Sequence, residues 1–461
     1  MKKIFSIVLL VSLVLSIVGC GNQKGDIKTT NSNGQSETGT SSSSMSNSEV
    51  SDEIINLVVW GGVPAESGPQ ALVNAWNTEH PNIQVEYVRF VNDDTGNTKL
   101  DTAILSGEQI DVFFTYSIDT LKKRVEGGMV ESLELYEAEE FIKENIIGGD
   151  DGQVKINSEL YGLSTAKESI GFMINSTMLE SQGVTIPDNW SVDEFMEVAK
   201  QLTHEKDGHK VYGTHGYYAG LPLAISSTVL GGDQYYSEDG KASNFDAPEF
   251  EVNARVKELM DDGYAMPYDE VFSRKLEAYC HSAFLNEEVA MMPFSGWMLR
   301  YVKDLENYPH DFITTFAPYP TSEKGVPNNY QATLNNHISI SSNSKYKEEA
   351  WEFIKFWITD GTKFMLSAGK IPVWNQVSDE EVIAGIVGKD GEKLFDIEGF
   401  KRVMLNPHLQ YIVDTYTTAY PQIMQIYKEE SEMFFLGESS KEDYLYNIKR
   451  RADEAIEAEL Q

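Results

Sequence analysis

From residue 54 onward, segments with the apolar pattern of a strand alternate with segments that have the apolar spacing of a helix. The stretch IINLVVWGG is an apolar run of strand length that contains Trp60, and IQVEYVRF alternates apolar and polar residues as a half-buried strand does. SGPQALVNAWNTEHP and NTKLDTAILSGEQ have helical spacing, and IDVFFTYS predicts a buried strand that reaches Tyr116. Strands and helices in this order predict a mostly parallel sheet with helices on its faces.

The middle of the chain contains an unusually long extended stretch, LYGLSTAKESIGFMINSTML. A strand of this length can leave one sheet and enter another. In the helix that follows, NWSVDEFMEVAKQLT, Ser191 is placed to cap the amino terminus and Glu194 lies three residues later, which is the spacing of a capping box.

The second half of the chain continues with both kinds of element. FITTFAPYP and NHISISSNS predict strands, SRKLEAYCHSAFLNEE and KYKEEAWEFIKFWITD predict amphipathic helices, and the last stretch of about ninety residues is mostly helical in pattern. Four tryptophans within or next to predicted helices are expected to pack in the core: Trp76, Trp190, Trp351 and Trp357.

An apolar run from Val289 to Met292 leads almost directly into Ser295, Gly296 and Trp297. The glycine allows a sharp turn of the backbone just before the largest side chain. The indole is therefore either the last plug of a core or a flat apolar platform in a cleft, and the pattern alone leaves both possibilities open.

The amino terminus has the pattern of a secretory signal. Lys2 and Lys3 precede an apolar run of roughly fifteen residues, which is shorter than the about 20 apolar residues of a membrane span. Residues 17–20, Ile-Val-Gly-Cys, resemble the bacterial lipobox, which implies cleavage before Cys20 and a lipid on that residue; the alternative is an ordinary signal peptide. Residues 1–19 are thus expected to be the signal, and residues 20–52, rich in Ser, Thr, Asn and Gly, a disordered tether.

Composition excludes several classes of protein. The formal net charge of -35 repels phosphate backbones, so nucleic acid is not an expected partner. Only two cysteines occur, and if Cys20 carries lipid, Cys280 has no disulfide partner and is expected to be a buried, inert thiol. The chain contains no G-x-S-x-G elbow, H-E-x-x-H helix or phosphate-binding P-loop, and its eight histidines form no metal set, so we expect neither catalysis nor a cofactor.

In their order and spacing, several stretches resemble the extracellular solute-binding proteins of ABC importers that take up sugars. They are VVWGG, WNTEHPNIQVEYV, YGLSTAKESIGFMINSTML, the SVDEF helix, FLNEEVAMMPFSGW and ISISSNSKYKEEAWEFIKFW. The resemblance implies a two-lobed α/β fold, each lobe a mostly parallel sheet flanked by helices, with crossovers near residues 164–169, 332–337 and 371–373. Lobe 1 would comprise residues 53–165 and 335–372, and lobe 2 residues 166–334 and 373–461.

The same resemblance implies a function. A monomeric protein, anchored through Cys20 on the extracytoplasmic face of the cell membrane, would bind a sugar or oligosaccharide between its lobes and present it to an ABC permease. Two alternatives remain open at this point: the same fold with a peptide or polyamine as ligand, and a lipid-anchored glycosidase that uses paired carboxylates.

Candidate ligand residues follow from strand ends and crossovers, since ligand loops lie at the carboxyl ends of parallel strands. In the family the aromatic after the glycine of FSGW lines the cleft, which implies a sugar platform at Trp297. The other candidates, each of which could instead be a core or surface residue, are Trp60, Glu66, Tyr116, Lys167 and Trp374.

Overall fold

The computed structural model describes residues 54–218, 221–222, 230–277, 279–327 and 330–461. The predicted signal sequence, the lipidation site at Cys20 and the tether lie outside the described residues.

The strands are short and are distributed over the whole described chain. They are β1 (Ile55–Gly61), β2 (Ile83–Arg89), β3 (Val112–Thr115), β4 (Leu163–Ser169), β5 (Gly171–Asn175), β6 (His204–Lys206), β7 (His209–Thr214), β8 (Tyr217–Tyr218), β9 (Leu221–Pro222), β10 (Val289–Pro293), β11 (Thr314–Pro318), β12 (Gln331–Ile340), β13 (Ile371–Pro372) and β14 (Gln410–Tyr411).

Helices separate most of these strands and dominate the carboxyl-terminal part. They are α1 (Pro69–Glu79), α2 (Asp94–Leu105), α3 (Ile118–Glu126), α4 (Ala138–Asn145), α5 (Ser176–Gln182), α6 (Val192–Leu202), α7 (Pro248–Asp261), α8 (Tyr268–Ser273), α9 (His281–Leu285), α10 (Leu299–Val302), α11 (Lys347–Ile358), α12 (Asp379–Ile386), α13 (Ile397–Met404), α14 (Tyr420–Phe435) and α15 (Lys441–Leu460).

Two main sheets organise the structure. The first has the order β13-β4-β12-β3-β1-β2, with β14 paired to β12, and the second has the order β11-β5-β10-β7-β6. The predicted succession of β1, α1, β2, α2 and β3 is confirmed, and so is the capping box, in which Ser191 and Glu194 each accept a hydrogen bond from the other residue's backbone N–H.

The α/β class is confirmed, but both sheets are mixed rather than mostly parallel. In the first sheet β1 is parallel to β2 and β3, whereas β12 runs antiparallel to β3 and β4. In the second, β10 is parallel to β7 but antiparallel to β5. Strand-helix units produce the parallel pairs, while strands that arrive from the other sheet enter in the opposite direction, and the periodicity of a strand carries no information about direction.

Three adjacent strands carry the chain between the sheets. β4 lies in the first sheet and, after Ile170 alone, the chain continues as β5 in the second, so the long extended stretch does leave one sheet for another. β12 brings the chain back after β11, and β13 pairs with β4 before the chain reaches the carboxyl-terminal helices. The pairs Ala332–Ser169 and Ile371–Lys167 place these three strands side by side.

The apolar residues form separate cores around the two sheets. One cluster packs around the second sheet and includes Trp190. Another covers one face of the first sheet and includes Trp76, Trp351 and Trp357. All four tryptophans expected to pack in the core are buried. A third, smaller cluster lies on the first sheet and α2 and contains Trp60.

The helix predicted for SRKLEAYCHSAFLNEE is largely absent. Lys275 has a φ of 58°, in the left-handed region that a helix cannot contain, and among the described residues of the stretch only Ser273, the last residue of α8, and α9 are helical. Cys280 caps α9, is fully buried and is a free thiol. Burial raises the pKa of this thiol well above its ordinary value, which agrees with the predicted inert cysteine.

Candidate functional site

The ends of strands from both sheets meet beside the three crossing strands. Gly296 follows β10 of the second sheet, and Gly369 precedes β13 of the first. A Cβ atom on Gly296 would lie 2.5 Å from the carbonyl oxygen of Gly369, and one on Gly369, whose φ is +77°, would lie 2.0 Å from the carbonyl oxygen of Gly296. Only glycine at both positions allows the two backbones to come this close.

A polar cluster at this junction is centred on the carboxylate of Glu168 in β4. One oxygen accepts a hydrogen bond from the hydroxyl of Ser295, and the other accepts from Asn336 Nδ2 at 3.2 Å and Lys370 Nζ at 3.3 Å. Lys370 also donates to Asn336 Oδ1 at 3.0 Å. Each crossing segment and the end of β10 thus contribute one side chain to what we call the Glu168 cluster: Glu168, Ser295, Asn336 and Lys370.

The Glu168 cluster is mostly buried and internally paired. The side chains of Lys370 and Glu168 keep only 10% and 16% of their surface exposed. Burial opposes the charged form of Glu168, but the charge of Lys370 and the hydrogen bonds from Ser295 and Asn336 outweigh it and hold the pKa of Glu168 below its ordinary value. The carboxylate is therefore charged and is fixed in position by donors from both sheets.

Tyr116 lies next to this cluster, beyond the end of β3. Its hydroxyl accepts a hydrogen bond from the backbone N–H of Gly62 at 2.6 Å, and its ring lines a small cavity together with Tyr87, Asn336 and Lys370. Burial raises the pKa of Tyr116, while the hydrogen bond from Gly62 and the charge of Arg300 act in the opposite direction. The hydroxyl is accordingly neutral at all physiological pH values.

Trp297 is partly exposed at the start of a short turn of 3₁₀ helix, Gly296–Met298. The rings of His281 and Tyr301 meet its indole edge-on, with centroid distances of 5.2 and 5.8 Å, and the Arg300 guanidinium lies 5.6 Å from its centroid. His281 stacks on Tyr301 at 4.1 Å. Burial, followed by the charge of Arg300, lowers the pKa of His281 to about 4, so this supporting ring is neutral.

The arrangement therefore combines one aromatic surface with a fixed polar array. Ser295 and Gly296 connect the two parts, because they directly precede Trp297, Ser295 donates to Glu168, and Gly296 lies against the backbone of Gly369. Such a combination can bind a ligand that has both an apolar face and hydroxyl groups.

Comparison with known proteins identifies the family. The profile of the bacterial extracellular solute-binding proteins matches residues 61–364, which is more than half of the chain. The chain belongs to this family. The resemblance seen in the sequence is thereby confirmed, and so is the prediction of a binding protein rather than an enzyme, because the family consists of solute-binding proteins.

The individual relatives are only distantly similar. The "multiple sugar-binding protein" of Streptococcus mutans is 24% identical over 218 residues, which cover 45% of this chain and 49% of that protein. An uncharacterized lipoprotein of Streptomyces antibioticus is 25% identical over 310 residues, or 65% of either chain. The chain thus spans between about half and two thirds of the length of these relatives.

Among solved structures, an ABC substrate-binding protein of Listeria monocytogenes in complex with cycloalternan superimposes with a TM-score of 0.69 at 17% identity. The match covers 88% of this chain and 99% of that one. At this identity the likeness establishes that the two proteins share a fold.

The other predicted ligand residues of this family member lie in different settings. Trp60 is 4% exposed within the third apolar cluster, with Lys99 Nζ 5.4 Å from its ring centroid. Glu66 is exposed in the short turn Ala65–Ser67. Trp374 is partly buried after β13, and its indole N–H has no hydrogen-bond partner among the described residues. The structure does not bring these three into contact with the Glu168 cluster.

Lys167 is adjacent to Glu168 in β4, but successive side chains of a strand point to opposite faces. It is partly buried, its ammonium makes no hydrogen bond with another described residue, and burial lowers the pKa of that ammonium. Of the six predicted ligand residues, the structure therefore places Tyr116 and Trp297 in the arrangement described above.

Sequence reasoning missed Glu168, Ser295, Asn336 and Lys370. The sequence predicts the crossover, but its alternation does not say which face meets the other sheet, so the prediction of Lys167 falls on the neighbour of Glu168. A usable signal was present for Lys370, which lies directly before the apolar residues of the third crossover.

No helix in the described ranges combines the length and apolar character that a membrane span requires. Within the same ranges, no group of three or more His, Cys, Asp or Glu side chains is arranged to hold a metal ion.

Proposed function

We propose that this family member is a lipid-anchored receptor that captures a sugar or oligosaccharide and delivers it to an ABC permease. The observation that carries the proposal is the proximity of the partly exposed Trp297 to the Glu168 cluster: Ser295, two residues before it, donates to Glu168, and Gly296 lies against the backbone of Gly369. The names of similar proteins agree with it: the relative from Streptococcus mutans is called a multiple sugar-binding protein, and the structure from Listeria monocytogenes contains cycloalternan.

The chemistry of a sugar ring fits this combination of residues. A pyranose has an apolar face of C–H bonds and a rim of hydroxyl groups. In the proposed complex the indole of Trp297 stacks against the face, while Glu168 accepts and Lys370, Arg300 and Tyr116 donate hydrogen bonds to hydroxyls. Since the Glu168 cluster is already held by its internal hydrogen bonds, little side-chain ordering accompanies binding.

We further propose that residues 53–165 with 335–372, and residues 166–334 with 373–461, move as two lobes. β4, β12 and β13 would act as the hinge, because the chain passes between the sheets at these strands. Closure would remove the sugar from water and create the shape that the permease recognises.

A panel of maltotriose, cellotriose, xylotriose and raffinose tests the proposal, with thermal unfolding of the full chain as the measurement. A sugar present at 100 times its Kd should stabilise the protein by about 2.7 kcal/mol. Chromatography of the bound sugar should recover it unchanged. If no sugar in a broadened panel shifts the unfolding transition, the ligand is of another class, and a peptide and polyamine panel follows.

Lipid anchoring makes a separate prediction. Cys20→Ala should leave the protein folded but move it from the membrane fraction to the soluble fraction, because the acyl chains supply the anchor. Cys280→Ala is the matched control, since this buried thiol is the other cysteine of the chain, and it should leave the protein in the membrane fraction. A Cys20→Ala protein that remains tightly membrane-bound contradicts the lipoprotein assignment.

A further inference from the structure

Helix α3 is attached to the first sheet by one buried side chain. Arg124 is fully buried; its Nε donates to Asp101 Oδ1 at 2.7 Å, and one terminal nitrogen donates to Thr115 Oγ1 at 2.7 Å and to the carbonyl oxygen of Phe114 at 3.2 Å. Since Phe114 and Thr115 belong to β3, Arg124 ties α3 to the first sheet.

Another side chain of α3 reaches a different part of the protein. Lys122 is 3% exposed, and its ammonium donates to Glu459 Oε1 at 2.7 Å and to the carbonyl oxygen of Thr417. Glu126, one helical turn away, lies 3.4 Å from the same ammonium. The second oxygen of Glu459 accepts a hydrogen bond from the backbone N–H of Ala419 at 2.8 Å.

The partners of Lys122 belong to the body of the second sheet. Glu459 lies in α15, and Thr417 and Ala419 directly precede α14. Apolar residues of α14 and α15, among them Ile423 and Ile456, are part of the core cluster that packs around the second sheet. Ile118, at the start of α3, also packs against that cluster. Lys122 therefore joins α3, which is tied to the first sheet, to the helices that pack around the second sheet. This junction lies outside the three crossing strands.

The hydrogen bonds of Lys122 oppose separation of α3 from the helices of the second sheet. A buried ammonium is stable only while it is paired and hydrogen-bonded, and here three oxygen groups satisfy it. Charge-assisted hydrogen bonds of this kind are about twice as strong as neutral ones. If the helices of the second sheet moved away, Lys122 would lose both Glu459 and the Thr417 carbonyl.

We propose that Lys122, Glu459 and the Thr417 carbonyl form an interlobe latch that sets the fraction of the empty protein in the closed arrangement. The proposal rests on the two-lobed closure described under the proposed function. The apparent Kd of a ligand that binds the closed arrangement equals the intrinsic Kd divided by the closed fraction, so the latch would tune affinity without touching the ligand.

The test compares Lys122→Met with Lys123→Met in the full chain. Lys123 occupies the next position of α3, is 56% exposed on its side chain, and pairs only with Asp119 at 3.6 Å among the described residues, so it is a matched control. Solution scattering without any sugar should give a larger radius of gyration for Lys122→Met than for the wild type and for Lys123→Met. Each panel sugar that binds the wild type should bind Lys122→Met about tenfold more weakly.

Glu459→Gln removes the same ion pair from the other side, at a residue whose side chain is 38% exposed, and serves if Lys122→Met fails to fold. In the double variant the second substitution should add little to the first, because both remove one interaction. An unchanged radius of gyration in folded single variants overturns the latch, even where sugars bind. An increased radius in a protein that binds no panel sugar supports the latch and removes the sugar-receptor proposal.

Discussion

Trp297→Ala is expected to weaken the binding of any panel sugar by about 2 kcal/mol or more, which is roughly 30-fold in Kd. The indole is a large aromatic surface that stays partly exposed two residues after Ser295 of the Glu168 cluster. His281 and Tyr301 hold its edges, so the wild-type ring is ordered before the ligand arrives. Replacement by alanine removes the whole stacking surface.

The unfolding free energy of the empty Trp297→Ala protein should fall by much less than the about 3–5 kcal/mol of a deleted core tryptophan. Trp190→Ala provides the contrasting control. Trp190 is fully buried, packs edge-on against Phe172 at 5.7 Å and donates its N–H to the Pro318 carbonyl at 2.9 Å. That variant should lose core-sized stability, while its folded fraction binds sugar normally.

Calorimetric unfolding and sugar titration of both variants separate a platform from a core plug. If Trp297→Ala bound sugar normally but lost about 3–5 kcal/mol of unfolding free energy, the indole would be a core residue rather than a ligand platform. The ligand platform would then have to be sought elsewhere.

Lys370→Met should destabilise the protein by about 2–3 kcal/mol, because it leaves the Glu168 carboxylate mostly buried without its cation. The loss is smaller than for a fully enclosed pair, since both side chains keep some contact with water. Lys167→Met is the matched control: it removes the lysine directly before Glu168 in β4, whose ammonium makes no hydrogen bond with a described residue. Its effect on unfolding should be small.

The pH dependence follows from the direction of the Glu168 shift. Its folded pKa lies below the unfolded value, so the group contributes stability above the unfolded pKa of about 4.3 and loses it as pH falls through the folded pKa. Lys370→Met removes the main cause that lowers this pKa, so the variant lacks this acid-side loss, and its stability deficit relative to the wild type should shrink as pH falls from neutrality to pH 3. Urea unfolding between neutral pH and pH 3 measures both effects. Equal curves for Lys370→Met and Lys167→Met contradict the assignment.

Periodicity by itself determined much of this protein. The alternation in IQVEYVRF and the helical spacing in SGPQALVNAWNTEHP defined β2 and α1, because local geometry fixes the periods of strands and helices. Ser191 and Glu194 determined a helix start, since both halves of a capping box lie within one turn. The apolar run before Gly296 likewise indicated β10 and the turn that carries Trp297.

The tertiary structure decided what these local signals could not. The sequence could not say that Glu168 rather than Lys167 meets the second sheet, because a strand has two faces and the choice depends on where the other sheet lies. Lys370 pairs with a residue 202 positions earlier, and Lys122 with one 337 positions later. Trp60 has the same strand-end pattern as a ligand residue, yet neighbouring side chains from α2 and β3 bury it. Such contacts depend on how separate elements pack together, and no local period of the chain encodes that arrangement.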